Sequence, residues 1–334
     1  MEEFASFAGV SRPTVSKYFN APDTVSSTTR DAIELALKKS GFQPSLFAVN
    51  LNRRRSKIIG VIVPNPIDPF YSALTRRIEL IANEAGFLAF VMSSHGLPEL
   101  EDKAIQTFKS MNIAGAIIAP LGLSSHHDIL ARLGVRIPLI YMDSPLDDTS
   151  DFVGTDNRQS IGLITDYLCR SGDAPCYFGM PAVNSNALAR QEAYDGAMRR
   201  FGKSPQLVSL PDAKTWDFEK FAFDQTAQIL NGGGFPTKTV LCANDRIAFG
   251  VIAAAFQLGR KVGHAPDCDL RVAGHDDHPL SRYSCPPITT VAQDYEEIGR
   301  LAIDLLLRKL DLADGATQNE RLLLKAELML RQSA

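Results

Sequence analysis

The sequence predicts an α/β protein of 334 residues: a small helical head, a short connecting segment, and a body of two lobes built on doubly wound parallel sheets. Three observations carry that prediction. From residue 58 onward, short continuous apolar runs such as "IIGVIV", "AGAIIA", "TVLCA" and "LRVAG" alternate with helical stretches at 71–85, 99–111, 157–171, 187–201, 218–231 and 246–259. Strands that are apolar throughout, rather than at every second residue, are buried on both faces, as in parallel sheets covered by helices. About ten such runs exceed one comfortable sheet, so two lobes are expected. Finally, residues 1–57 carry nine Lys/Arg against five Asp/Glu, a net +4 in a chain of formal net charge −3, which leaves −7 on the other 277 residues. A basic head on an acidic body points to a polyanion met by the head alone.

In the head, residues 2–8 form a short helix with Phe4, Ala5 and Ala8 inward, ended by Gly9, which is free to take a positive φ. Ser11 caps a second helix whose first turn tolerates Pro13. Val15, Tyr18 and Phe19 make its inner face, while Arg12, Pro13, Ser16 and Lys17 point outward. A third helix, Ser27 to Ser40, is capped by Ser26 and closed by Gly41. Two helices joined by a tight Gly turn describe a helix-turn-helix, and equally a small helical cap on an enzyme. Ser45–Leu51 is too short to hold a helix alone in water. With "RRRSK" behind it, this segment reads as a hinge that folds against a partner, Leu51 acting as an apolar wedge in a minor groove, or as a solvated linker.

In the body, lobe 1 is expected over about 58–155 and 290–317, and lobe 2 over about 156–288 and 318–334. The late run "RLLLKAELML" (321–330) is expected to be one strand. Ligands of open α/β sheets sit at the carboxyl ends of the strands. There the sequence places Asn65, Asp68 and Phe70, then Asp143, then Asn244-Asp245 and Asp276-Asp277, with Arg190 opening a helix and the only tryptophan, Trp216, in a polar loop. Carboxylates and amides take pairs of hydroxyl hydrogen bonds, Arg donates a fork, and an indole face covers sugar C–H groups. Asp and Asn after strands also commonly cap the next helix.

No apolar run approaches the ~18 residues that span a bilayer, and the acidic "MEEFASFAG" lacks the basic n-region of a secretory signal. A cytoplasmic protein without a membrane partner is expected. Five widely spaced cysteines without C-x-x-C suit a reduced core. His275 and His278 lack further ligands at metal spacing, so neither metal nor cofactor is expected.

The residues resemble the lactose-repressor (LacI/GalR) family of bacterial transcription regulators over essentially the whole chain. "FASFAGVSRPTVSKYFN", "VSSTTR", "GFQPSLFAVNL", "IIGVIVPNPIDPFYSAL", "LCANDRIAFGVIAAAFQLGRKV" and "VAGHDDHPLSRYSCPPITTVAQ" stand in the family's order. His275 takes the place of a usual aromatic. The resemblance implies a helix-turn-helix DNA-binding domain at 1–43, a hinge helix and linker at 44–57, and a periplasmic-binding-protein-like effector and dimerisation body at 58–334. It implies that Ser11, Arg12, Pro13, Thr14, Ser16, Lys17, Asn20 and Ser26 face major-groove bases and phosphates, and that Leu51 enters the minor groove. Phe70, Asp143, Arg190, Trp216, Asn244, Asp276 and Gln293 are implied to line the effector cleft. The expected protein is a homodimeric regulator of double-stranded operator DNA, a repressor switched by a small sugar or sugar derivative, with a regulator responding to a non-sugar metabolite as the alternative. A sugar-binding transport protein would share the body but not the head. An enzyme would need a phosphate loop or nucleophile–base pair, and "NGGGF" (231–235) follows a helix, so it reads as a turn.

Overall fold

The structure is a computed structural model that describes residues 1–20, 22–42, 56–311 and 318–334. The side chain of Asn20, Leu51 and nearly all of the 44–57 hinge lie outside the described residues.

The head packs α1 (Glu2–Phe7), α2 (Arg12–Asn20) and α3 (Ser27–Ser40) around Phe4, Ala5, Val15, Ile33 and Ala36. Phe42, just past α3, stacks on Phe4 with ring centroids 4.4 Å apart and closes this small core. Gly9 has φ 68° and Gly41, capping α3, has φ 62°, both in the left-handed region that favours glycine. Ser11 Oγ accepts from Thr14 N at 3.3 Å and Ser26 Oγ from Thr29 N at 3.4 Å, so both serines cap helices.

In the first lobe, the strands β1 (Ile58–Val63), β2 (Leu88–Ser93), β3 (Gly115–Ile118), β4 (Leu139–Met142), β5 (Phe152–Thr155) and β10 (Arg321–Leu324) form one parallel sheet in the order β10-β5-β4-β3-β1-β2. On one face Ile59, Val61 and Val63 meet α4 (Pro69–Glu84) and α11 (Tyr295–Asp311). On the other, Ile58 and Ile62 meet α5 (Pro98–Ser110) and α6 (His127–Gly134). Every residue of β1 is therefore buried, which is why the strand is apolar throughout.

The second lobe repeats the plan. The strands β6 (Cys176–Phe178), β7 (Thr239–Cys242) and β8 (Arg271–Ala273) are parallel. Helices α7 (Asn157–Ser171) and α8 (Ser185–Arg200) cover one face, and α9 (Phe218–Asn231) and α10 (Asp245–Gln257) the other.

Two expectations for the lobe limits need correction. The strand β9 (Thr290–Ala292), placed in lobe 1, lies beside β8 through parallel bridges Ala273↔Thr289 and Asp276↔Ala292. The single strand expected at 321–330 is two: β10 joins the first sheet, and β11 (Glu327–Met329) pairs antiparallel with β9 in the second lobe. The break has a side-chain cause. Gln159 on α7 donates from Nε2 to Ala326 O at 3.0 Å and accepts Ala326 N–H on Oε1 at 2.9 Å, removing that residue from either ladder. The chain thus passes between the lobes after β5, after β9 and after β10.

Gly60 on β1 sits under the Phe108 ring, where an added Cβ would lie 2.4 Å from Cε2. Gly60→Ala is expected to cost about 1–3 kcal/mol by overpacking. A lowered urea midpoint with unchanged slope checks it, and Phe108→Leu in the same chain should return part of the loss.

Candidate functional site

At the carboxyl ends of the strands a small cavity opens between the lobes, and the structure brings Phe70, Asp143, Arg190, Trp216, Asn244, Asp276 and Gln293 together on its walls. Asp68, Tyr71, Met180, Asn184, Asn186 and Phe218 complete the lining. Of the other post-strand residues, Asn65 accepts from Ile67 N at 3.1 Å within its own turn. Asp245 is fully buried, bonded to Thr290 and Ser281 hydroxyls at 2.6 Å each, and Asp277 pairs with Arg331 at 2.6 Å.

Asp276 is the hub. Its Oδ1 accepts from Gln293 Nε2 at 2.7 Å and His275 Nδ1 at 2.8 Å, and lies 3.3 Å from Arg190 Nη2. Burial raises the Asp276 carboxyl, but Arg190, His275 and Gln293 together outweigh it and hold the group below its ordinary value. Arg190, itself buried, is positioned by Nη1 donating to Ala243 O at 2.8 Å and Nε to Asn157 Oδ1 at 3.1 Å. A carboxylate only accepts, so His275 Nδ1 carries the proton and Nε2 accepts from Ser160 Oγ at 2.9 Å. Burial, and next Arg190, push that imidazole down to about 4, keeping it neutral.

Asp143 faces this hub from the first lobe. Tyr71 OH donates to Oδ2 at 2.8 Å and Asn186 Nδ2, from the second lobe, to Oδ1 at 3.1 Å. Burial pushes Asp143 up to about 6, against Arg190 and the Tyr71 hydroxyl. Asn244 does serve as the α10 cap, Oδ1 accepting from Ile247 N at 2.8 Å, while its amide nitrogen stays on the cavity side, 3.7 Å from Met180 Sδ. The backbone is strained here: Asp143 has φ 65°, Asp276 φ 121° and Asp277 φ 52°, each a conformation costing about 1–3 kcal/mol that clusters at ligand sites.

Tyr71, Asn184 and Asn186 are absent from the set expected from sequence. The two asparagines carried a usable signal, since they follow β6 at the carboxyl end of its strand. Tyr71 had only its adjacency to Phe70.

On the head, Ser11, Arg12, Pro13 and Lys17 are exposed, and Thr14 and Ser16 half-exposed, along one side of α2. Arg12 Nη1 lies 3.2 Å from Glu2 Oε1, an exposed pair worth little and easily exchanged for a phosphate.

Residues 1–45 match the family described as bacterial regulatory proteins, lacI family, and residues 175–334 match the periplasmic binding protein-like domain. The ribose operon repressor of Escherichia coli (strain K12) is 31% identical, across 100% of this chain and 99% of that protein. The chain belongs to the LacI family. A further LacI-family relative, the HTH-type transcriptional repressor PurR of Actinobacillus pleuropneumoniae serotype 3 (strain JL03), is 28% identical across 100% of this chain and 97% of its own length. The crystal structure of the lac repressor dimer bound to operator and the anti-inducer ONPF matches with TM-score 0.83 at 25% identity, covering 99% of this chain and 97% of that one. As a LacI-family member the protein is a ligand-responsive DNA-binding regulator. None of its described helices is long and apolar enough to cross a membrane.

The cleft of this protein has a pH signature of its own, carried by His275. Unfolded, His275 takes a proton near its ordinary 6.5, whereas folded it resists until about 4. Between those values the unfolded chain binds more protons, so this group costs stability as pH falls from 6.5 toward 4. His275→Gln should be less stable than wild type at pH 7.5, and that gap should narrow by about 2 kcal/mol at pH 4.5. Urea titrations at the two pH values check the sign.

Proposed function

We propose that this LacI-family chain is a repressor that grips a pseudo-palindromic operator as a homodimer and is switched by a small, uncharged sugar or sugar derivative between its lobes. The observation that carries this reading is one cavity lined from both lobes by groups suited to a polyol. Asp143 and Asp276 accept hydroxyl hydrogen bonds, Asn186, Asn244 and Gln293 both donate and accept, and Phe70 and Trp216 offer ring surface to C–H groups. Charge narrows the class. The buried guanidinium of the cleft, Arg190, is matched by Asp276, and Asp143 adds further negative potential, so a phosphorylated sugar would be repelled. That one relative is a ribose operon repressor agrees with a monosaccharide. A binding site without turnover fits the His275 imidazole, which is buried with both nitrogens engaged.

Residues 1–43 are assigned to the DNA reader and 44–57 to the hinge. The effector and dimerisation body begins at 58, with its lobes divided at the three chain crossings. Acting on an operator places the protein in the cytoplasm. Ser11, Arg12, Pro13, Thr14, Ser16, Lys17, Asn20 and Ser26 are assigned to the major groove and Leu51 to the minor groove. A ligand that binds one lobe arrangement better than the other shifts the spacing of the two heads, and only that differential affinity does work on DNA binding. The likeness to a lac repressor dimer bound to operator supports this reading.

A thermal-shift panel of pentoses, hexoses and their polyols on the full chain should find one that raises Tm with concentration. Asp143→Asn and Asp276→Asn should then weaken that sugar about 10- to 100-fold by calorimetry, each replacing a charged hydrogen bond with a neutral one. Wild-type affinity in both variants removes these carboxylates from the site. With an operator selected from random duplexes, Lys17→Ala should lower the slope of log affinity against log salt by about 1. Unchanged affinity and slope in both Lys17→Ala and Arg12→Ala would end the DNA assignment for α2.

A further inference from the structure

The loop ahead of α9 belongs to the second lobe and reaches over to the first, and the way it is held is independent of the sugar-facing carboxylates. Its Trp216 packs against both lobe cores. The indole lies on Gly96 in the loop between β2 and α5, so close that a Cβ at Gly96 would fall 2.3 Å from Trp216 Cδ1, and Gly96 also has φ 74°. Side chains other than hydrogen are excluded there twice, by contact and by backbone conformation. Arg246 on α10 fastens the arrangement. Its Nε and Nη2 donate to the two Glu219 carboxylate oxygens at 2.6 Å each, Nη2 also donates to Trp216 O at 3.1 Å, and the guanidinium sits 5.0 Å from the Phe218 ring centre. All of these partners lie in the second lobe. The remaining nitrogen, Nη1, reaches across to Asp68 Oδ2 at 3.2 Å, in the first lobe. Asp68 is fixed in turn as the α4 cap, Oδ1 accepting from Phe70 N at 3.0 Å.

We propose that Arg246 is a positioning residue of the cleft: a preset arm that latches the lobes through Asp68 and holds Trp216 on Gly96 as the wall between the cavity and the outside. A fork clamped by Glu219 and the Trp216 carbonyl loses little freedom on meeting Asp68, so the latch closes without help from a ligand. The Asp68 and Arg246 side chains are each 11% exposed, which shields the pair from salt. A second depression on the far side of Trp216, lined by Asn65, His95 and Asp217, is what the wall divides from the inner cavity. The latch therefore bounds the length of ligand the closed cleft admits. This size limit rests on the sugar reading above, whereas the latch itself does not.

Trp216 is the only tryptophan, so its fluorescence reports this wall alone. The test uses ligand-free full-length protein and acrylamide as quencher, on wild type, Asp68→Asn, Glu219→Gln, and Lys220→Gln as a control that breaks an exposed neighbouring pair with Asp224. Asn keeps the α4 cap while removing the charge, and Glu219 is 42% exposed, so both folds should survive, which circular dichroism verifies. The expected result is a quenching constant raised at least twofold with a red-shifted emission in Asp68→Asn and Glu219→Gln, and wild-type values in Lys220→Gln. Unchanged quenching and emission in Asp68→Asn would overturn the latch, as would an equal change in Lys220→Gln. Because no sugar is present, these outcomes stand whether or not the cleft binds one.

Discussion

The constraint on which the molecule depends is that its chain passes between the lobes three times along one edge of the cleft. After β5 it enters α7, after β9 it enters α11, and between β10 and β11 it returns. Three adjacent strands of backbone permit bending and oppose sliding or separation, so relative motion of the lobes reduces to opening and closing. The crossings are tied to one another by side chains. Thr155 Oγ1 donates to Gln293 Oε1 at 2.5 Å, joining the first to the second, and the Gln159 amide holds both backbone groups of Ala326, joining the first to the third. Gln293 also donates to Asp276, so the edge that bends is hydrogen-bonded directly to the group at the centre of the cavity.

Such a cleft is expensive to build. Four carboxyl groups, Asp68, Asp143, Asp245 and Asp276, are desolvated near one another, and an uncompensated buried charge would cost several kcal/mol. Each is handled differently. Asp276 stays charged because Arg190 opposes it, and Asp68 leans on Arg246. Burial raises Asp143 to about 6 and Asp245 to about 7, so their charge is partly given up rather than paired. Left-handed backbone at Asp143, Asp276 and Asp277 adds strain to this electrostatic load. Groups held in this way lower the cost of rearrangement, which is what a switch requires of the region that moves.

Much of this was legible in the amino-acid order, for a physical reason. Strands buried on both faces must be apolar at every position, so "IIGVIV" and "TVLCA" declared themselves, and the rule that ligands gather at strand carboxyl ends led from them to Phe70, Asp143, Asn244 and Asp276. Gln293 came only through the family resemblance, because nothing in its local pattern marks a crossing. The division of 321–330 was hidden altogether. "RLLLKAELML" contains no glycine or proline, and what breaks it is Gln159, more than 160 residues earlier in the chain. The short helix α6, eight residues long, left too little periodicity to be seen. Tertiary contacts decided these elements, and local propensity did not.

The charge asymmetry of the sequence finds its explanation in this architecture. A cleft built of carboxylates gives the body a negative field that would repel a duplex, while the groups that face DNA must be cationic. Placing both on one globule would set them against each other at distances within a Debye length, about 8 Å at physiological salt. The head has a core of its own, with Phe42 stacked on Phe4. That core is small, and the exposed side of α2 is polar apart from Pro13.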